Sequence, residues 1–178
     1  MNQGLSQHDI SSIAQDRYGF IWIATYDGLL RYDGYTFKTY RFDDTNPKSI
    51  SDNRILSIYL DSAENLWIGT EGGGLNLYNY DLEEFSKFKF SENPLDNNIY
   101  SIYEDNEHNL WAGTGCGVYK LNYSPENREL RITPIVSNFE EMTNARAIYR
   151  NSKDEMILGT TIAVSYTHLR AHETRRHL

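Results

Sequence analysis

Three tryptophans recur along the chain at a nearly constant spacing, and this spacing restricts the possible folds more than any other feature. Trp22, Trp67 and Trp111 lie 45 and 44 residues apart. Each has an aspartate six residues before it, a threonine three residues after it, and a glycine followed by an aliphatic residue six or seven residues after it. So regular a pattern indicates that one structural unit is repeated.

The recurring positions are predicted to be structural, because identical copies in every unit imply a task that every unit shares. The tryptophans could be sugar-stacking platforms, and the aspartates could bind calcium or act as acids. Burial of the indoles within strands and capping of turns by the carboxylates are favoured instead. The predicted structural positions are Asp16, Trp22, Thr25, Gly28, Asp61, Trp67, Gly69, Thr70, Gly74, Asp105, Trp111, Gly113, Thr114, Gly117, Gly159 and Thr160.

Each unit has the pattern of short antiparallel strands separated by turns. Residues 54–60 and 66–70 are apolar runs with little alternation, as in strands that are buried on both faces. Asp33-Gly34 is a strong hairpin signal in the first unit, and all four prolines fall between units. Four short strands in about 44 residues are typical of a β-propeller blade.

The repeat therefore predicts an all-β chain, a partial β-propeller of about three and a half four-stranded blades that does not close into a ring. The predicted blades are 4–49, 50–93, 94–138 and a partial 139–163, in which Asn151 and Ile157 take the aspartate and tryptophan places. An open arc leaves a strand edge and apolar blade faces uncovered. We therefore expect the isolated chain to associate or to be poorly soluble.

Residues 164–178, VSYTHLRAHETRRHL, depart from the repeat and are predicted to be a non-native or artefactual tail. They contain three of the five histidines of the chain, where a glycine-aliphatic pair and a further strand should follow. His168, His172 and His177 could bind a metal, but a fourth ligand is lacking. We therefore predict no metal site.

Composition argues against several classes of partner. The chain has 25 acidic and 17 basic residues and a net charge of -8, which disfavours nucleic acid as a partner. Neither a membrane-spanning apolar run nor an export signal is evident in the sequence. Cys116, the single cysteine, is interpreted as a small residue in a glycine-rich turn, and no cofactor is predicted.

Candidate ligand-binding residues are those that break the repeat in the turn after each threonine. Tyr26, Asp27 and Glu71 occupy this turn in the first two units and offer an aromatic face and hydrogen-bond acceptors, which suit a sugar. The alternative is that these residues form ordinary solvated turns.

The pattern I-x-x-I-x-x-D-x-x-G-x-I-W-I-A-T-x-x-G-L, found from Ile10 to Leu29, resembles the two-component regulator propeller repeat. The segment GLSQHDISSIAQDRYGFIWIATYDGLLRYDGYTFKTY resembles the first repeat of hybrid two-component sensor histidine kinases of Bacteroides-type bacteria. The resemblance extends from residue 4 to about residue 163. It implies an N-terminal fragment of a periplasmic sensor region in an inner-membrane protein, joined to the membrane only by missing downstream segments.

The resemblance implies a ligand-sensing module, not an enzyme, that responds to an oligosaccharide and is a homodimer when full length. The first alternative is a propeller enzyme of the lyase or glycosidase type, which needs titratable groups that converge from several blades. Only His8 and His108 precede the tail among the histidines. The second alternative is a protein-interaction propeller, although the Gly-His and Trp-Asp signatures of the commonest such repeat are missing.

Overall fold

The structure is a computed structural model that describes residues 9–137, 144–151, 155–160 and 164–167. These residues form fifteen strands and one short 3-10 helix, grouped into four antiparallel sheets. The all-β class predicted from the repeat is confirmed. In the described part of the chain no helix is long and apolar enough to cross a bilayer.

The sheets follow the sequence repeat in order, and in each sheet the strands pair with their neighbours along the chain. The first sheet holds β1 (Ile10–Gln15), β2 (Ile21–Thr25), β3 (Gly28–Tyr32) and β4 (Phe37–Tyr40). The second holds β5 (Ile55–Leu60), β6 (Leu66–Thr70), β7 (Leu75–Asn79) and β8 (Glu84–Phe88). The third holds β9 (Ile99–Glu104), β10 (Leu110–Thr114), β11 (Gly117–Ser124) and β12 (Glu129–Ser137), after the 3-10 helix Pro94–Asn97. The fourth holds β13 (Ala145–Arg150), β14 (Met156–Thr160) and β15 (Val164–Thr167).

A β-bulge recurs where the first two strands of each sheet begin to pair. In the second sheet the register shifts between Ile55 and Ser57, and the first and fourth sheets shift at the equivalent positions. An extra residue in one strand turns later side chains to the other face. The bulge explains why the paired aliphatic residues of the repeat, such as Ile55 and Ile58, lie three positions apart and still enter the same core.

The hydrophobic core is divided into three clusters, and each cluster lies between two consecutive sheets. At the first junction the face of the first sheet that carries Trp22 packs against the face of the second that carries Ile55 and Ile58. Trp67 and Trp111 occupy the same place at the second and third junctions. Each sheet is therefore a blade, with a tryptophan face toward the next blade and an isoleucine face toward the previous one.

The inner strands β1, β5, β9 and β13 lie side by side, as the innermost strands of consecutive propeller blades do. The four sheets do not form a closed ring. The prediction of a partial, open propeller of three four-stranded blades and an incomplete fourth is confirmed.

Two local details differ from expectation. The hairpin at Asp33-Gly34 has a longer loop than its sequence suggests, because Tyr32 pairs with Phe37 and the Asp33 carboxylate accepts hydrogen bonds from the amides of Tyr35 and Thr36. The backbone at 164–167 forms β15, the third strand of the fourth blade. The predicted tail remains a prediction, and His168, His172 and His177 lie outside the described residues.

Candidate functional site: the turns at the two ends of the blades

The aspartate turns, at one end of the blades, hold the recurring tryptophans of the first three repeats. Asp61 accepts hydrogen bonds from the amide of Asn65 at 2.7 Å and from the indole nitrogen of Trp67 at 2.8 Å. Asp16 and Asp105 make the same indole contact at 2.7 and 3.0 Å. The carboxylate therefore caps the turn and orients the buried indole, and the tryptophan has no face available to a sugar.

The third aspartate turn has an additional partner from the next blade. Arg150, at the end of β13, pairs with Asp105 at 2.6 Å, where the Arg150 side chain is 9% exposed and that of Asp105 is fully buried. Burial opposes ionisation of Asp105, but hydrogen bonds from Asn109 and Trp111 outweigh it and lower the pKa of this carboxyl below its ordinary value. This ion pair links the third blade to the fourth.

The threonine turns, at the other end, are closed by the threonine hydroxyl. Thr25 donates to the carbonyl of Gly28 at 2.7 Å, and Thr70 donates to that of Gly74 at 2.8 Å. The φ angle of Gly74 is +80°, and a Cβ there would lie 2.4 Å from the carbonyl oxygen of Phe88. Glycine is required at this position for both reasons.

The three predicted ligand-binding residues lie on these threonine turns, and two of them meet through an arginine. The guanidinium of Arg54 stands 5.0 Å from the ring centre of Tyr26 and forms an ion pair with Glu71 at 2.7 Å. Asp27 instead pairs with Arg41 at 2.6 Å and also accepts a hydrogen bond from Arg41 through its carbonyl. We call these five residues the rim cluster.

The rim cluster differs chemically from the sequence-based expectation. Tyr26 is 43% exposed, so part of its ring can meet a ligand. The carboxylates of Asp27 and Glu71 are already engaged by Arg41 and Arg54, so a ligand would compete with or share these ion pairs. Neither arginine was singled out from the sequence, because each lies on the connection between two blades and outside the repeated pattern. Arg41 and Arg54 each pair with a carboxylate of their own blade, and the contact of Arg54 with Tyr26 joins the first blade to the second.

The third threonine turn contains Cys116, whose sulfur accepts a hydrogen bond from the side chain of Asn93 at 3.3 Å. The pKa of the thiol is raised, chiefly because the thiol is buried and to a smaller extent because Asp96 is negatively charged. A raised pKa disfavours the thiolate, so the residue is a poor nucleophile. The described residues contain no group of three side chains suited to hold a metal ion.

A serine, a histidine and a glutamate meet where the second and third blades join. The hydroxyl of Ser62 lies 2.5 Å from Glu104 and 2.8 Å from Nδ1 of His108, and the same Nδ1 lies 3.2 Å from Glu104. Serine and carboxylate thus meet the same ring nitrogen, whereas a catalytic triad places them on opposite nitrogens. Burial opposes the ionisation of Glu104, but hydrogen bonds from Ser62 and His108 lower its pKa overall.

Comparison with known proteins places the repeat in a family. Residues 4–27, 49–72 and 93–115 match the family model described as two component regulator propeller. These segments are two-component regulator propeller repeats. Each matched segment contains one copy of the aspartate, tryptophan and threonine pattern, which assigns the recurring residues to this repeat.

Two of the proteins that this chain resembles are a histidine kinase and a domain of a hybrid two-component system. A 48-residue stretch, 27% of this chain, is 48% identical to Histidine kinase P4 of Formosa agariphila and covers 4% of that protein. The extracellular domain of a hybrid two-component system of B. thetaiotaomicron superimposes with a TM-score of 0.64 at 23% identity, over 94% of this chain and 29% of that one. The chain thus corresponds to less than a third of either relative.

The fold is also shared with an enzyme. Virginiamycin B lyase of Staphylococcus aureus superimposes with a TM-score of 0.63 at 9% identity, over 90% of this chain and 52% of the lyase. At this identity the likeness is one of fold alone, because propellers of unrelated function share their blades.

Proposed function

We propose that this chain is the ligand-sensing propeller region of a hybrid two-component sensor histidine kinase, and that its ligand is an oligosaccharide. The observation that carries the proposal is the set of three two-component regulator propeller repeats, supported by the match to a histidine kinase. On this proposal the propeller lies in the periplasm, the whole protein is a homodimer in the inner membrane, and the kinase chemistry belongs to other regions. The propeller itself senses and does not catalyse.

The rim cluster supports a sensing role because it spans two blades. Tyr26 and Asp27 belong to the first blade, whereas Arg54 and Glu71 belong to the second. A ligand that contacts both blades binds one relative arrangement of the blades more tightly than another. Such a difference in affinity shifts the equilibrium between the two arrangements. The predicted sugar contacts are stacking on Tyr26 and hydrogen bonds to the ion-paired side chains.

The proposal is tested in cells that carry the full-length sensor and a reporter for its output. We expect one class of oligosaccharide in a panel to raise the reporter signal, and the double substitution Tyr26→Ala and Glu71→Gln to shift the half-maximal concentration upward by about tenfold. The matched control is Tyr35→Ala, a tyrosine that is 86% exposed at the opposite end of the first blade. A full-length sensor that ignores every oligosaccharide, yet responds to another ligand, would overturn the glycan assignment.

A further inference from the structure

A cleft opens between the second and third blades, at the end of the blades that carries the aspartate turns. It consists of two adjoining cavities, of about 240 and 950 Å³, that share Asn122 and Tyr123 as a common wall. The smaller cavity is also lined by the polar side chains Ser62, Asn65, Glu104 and His108. The larger is also lined by Phe88, Asn127, Arg128 and Arg131. We call the two together the junction cleft.

The junction cleft arises where the third blade departs from the repeat. Its outer strands β11 and β12 have eight and nine residues, against five and four in the first blade and five in each strand of the second. The longer hairpin contributes most of the residues that line the larger cavity. Positions that break a repeat do not serve the task that every blade shares, and they are therefore candidates for binding.

The shared wall of the cleft is a fixed aromatic surface. The ring of Tyr123 stands edge-on to that of Trp67, with centres 5.4 Å apart and planes at 88°. Phe88 lies 6.5 Å from the same ring. The indole of Trp67 is buried and donates a hydrogen bond to Asp61, so Tyr123 packs against a ring that is fixed in place. A preformed aromatic surface suits the apolar face of a sugar ring and costs little ordering on binding.

Arg128 and Arg131 outnumber Glu129 among the charged residues that line the larger cavity, so this cavity has a net positive charge in a chain whose net charge is -8. Arg128 and Arg131 are exposed, and within the part of the chain that the structure describes neither forms an ion pair. Arg17, Arg31, Arg41, Arg54 and Arg150, by contrast, each pair with a carboxylate. Unpaired guanidinium groups beside an aromatic wall bind carboxylate or sulfate groups, often through two hydrogen bonds.

We propose that the junction cleft binds an oligosaccharide that carries carboxylate or sulfate groups. The smaller cavity has room for about one sugar ring among hydroxyl, amide and carboxylate groups. The acidic group of the neighbouring ring then meets Arg128 and Arg131. This inference rests on the proposed function, since it assumes a glycan ligand, and it adds the chemical class and the second place of binding. An acidic peptide would satisfy the arginines but has no ring to fit the smaller cavity and its polar side chains.

The test measures binding of the full chain by titration calorimetry to α-1,4-linked trigalacturonate and to the neutral galactotriose of the same linkage. We expect the acidic trisaccharide to bind at least tenfold more tightly, with an affinity that falls as salt is added. The substitutions R128Q and R131Q together should weaken it by about tenfold. The control K38Q with K48Q removes the same charge from two exposed, ion-paired lysines of other surfaces and should change affinity less than twofold.

Three results would overturn the inference. Equal affinity for the two trisaccharides would show that the cleft does not select acidic sugars, while leaving a glycan ligand in place. An equal loss of affinity in the control variant would mean that the loss follows from the change in net charge and not from Arg128 and Arg131 themselves. Equal affinity for a hexa-aspartate peptide would show that the arginines bind any polyanion. Failure of the proposed function is separate, because it appears as a full-length sensor that answers no oligosaccharide, acidic or neutral.

Discussion

The second blade turns an apolar face toward the first blade, and the first blade carries an equivalent face. Only the face of the second blade is covered. Ile55 and Ile58 of the second blade are 0% and 8% exposed, because the tryptophan face of the first blade packs on them. Ile10 and Ile13, at the same repeat positions of the first blade, are 47% and 60% exposed. Side chains at the same repeat position are therefore buried in one blade and exposed in the other.

The repeat therefore encodes a docking face whether or not a partner covers it. The outermost strands of the two blades show the same difference in exposure. Phe85 of the second blade pairs with Tyr78 and is 3% exposed, whereas Phe37 takes the equivalent place in the first blade and is 37% exposed. Burial is therefore supplied by the neighbouring blade. A face of this kind that stays open exposes apolar area and favours association.

The largest expected difference between the two faces is in stability. Ile58→Ala should lower the free energy of unfolding by about 3 kcal/mol, since it leaves a cavity in a packed junction. Ile13→Ala, the same change at the open face, should alter it by less than about 0.5 kcal/mol. Urea titration followed by tryptophan fluorescence compares them. Equal losses would mean that the two faces are equally covered in solution.

A second pair of substitutions compares covered junctions with each other. Asp16→Asn and Asp105→Asn disturb the same indole contact, but Asp105 also neutralises Arg150, whose side chain is 9% exposed. We expect the second change to cost about 2 kcal/mol more, somewhat below the usual loss for a broken buried pair because Glu107 lies 3.6 Å from Arg150. Denaturant unfolding of both variants measures the difference. Equal losses would mean that the ion pair between Asp105 and Arg150 does not stabilise the third junction.

The smallest expected effect is a loss of stability at low pH. The pKa values of Glu104 and Asp105 are lowered in the folded protein, so their stabilisation is complete above the ordinary carboxyl pKa of about 4 and is lost as the pH falls through the folded values. The junctions that hold these groups should weaken below about pH 4. Glu104→Gln should reduce the slope of stability against pH in this range, measured by thermal unfolding from pH 5 to pH 3. A variant with the unchanged slope would contradict this.

The blades could be predicted from the sequence because their determinants are local and repeated. The tryptophan spacing set the period, and the turn residues after Asp16, Asp61 and Asp105 marked the strand ends. Several cross-blade contacts could not be predicted. Arg150 meets Asp105 45 residues away, and Ser62 meets Glu104 42 residues away. Such contacts depend on how the blades pack and on which side chains each repeat happens to carry.

The candidate ligand site was predicted only in part. Tyr26, Asp27 and Glu71 were singled out because they vary between repeats, and the structure places Tyr26 and Glu71 around one arginine. The junction cleft was missed, since its cause is the length of the hairpin formed by β11 and β12, and the sequence pattern defines strand starts better than strand ends.

The most direct test of the central claim, that the open face of the first blade is a blade-docking face, is sedimentation velocity over a range of concentrations. We predict that the native chain associates as its concentration rises. The double substitution Ile10→Lys and Ile13→Lys should keep the chain monomeric, with its fold intact by circular dichroism. A native chain that stays monomeric at every concentration, or a double variant that associates as strongly as the native chain, would contradict it.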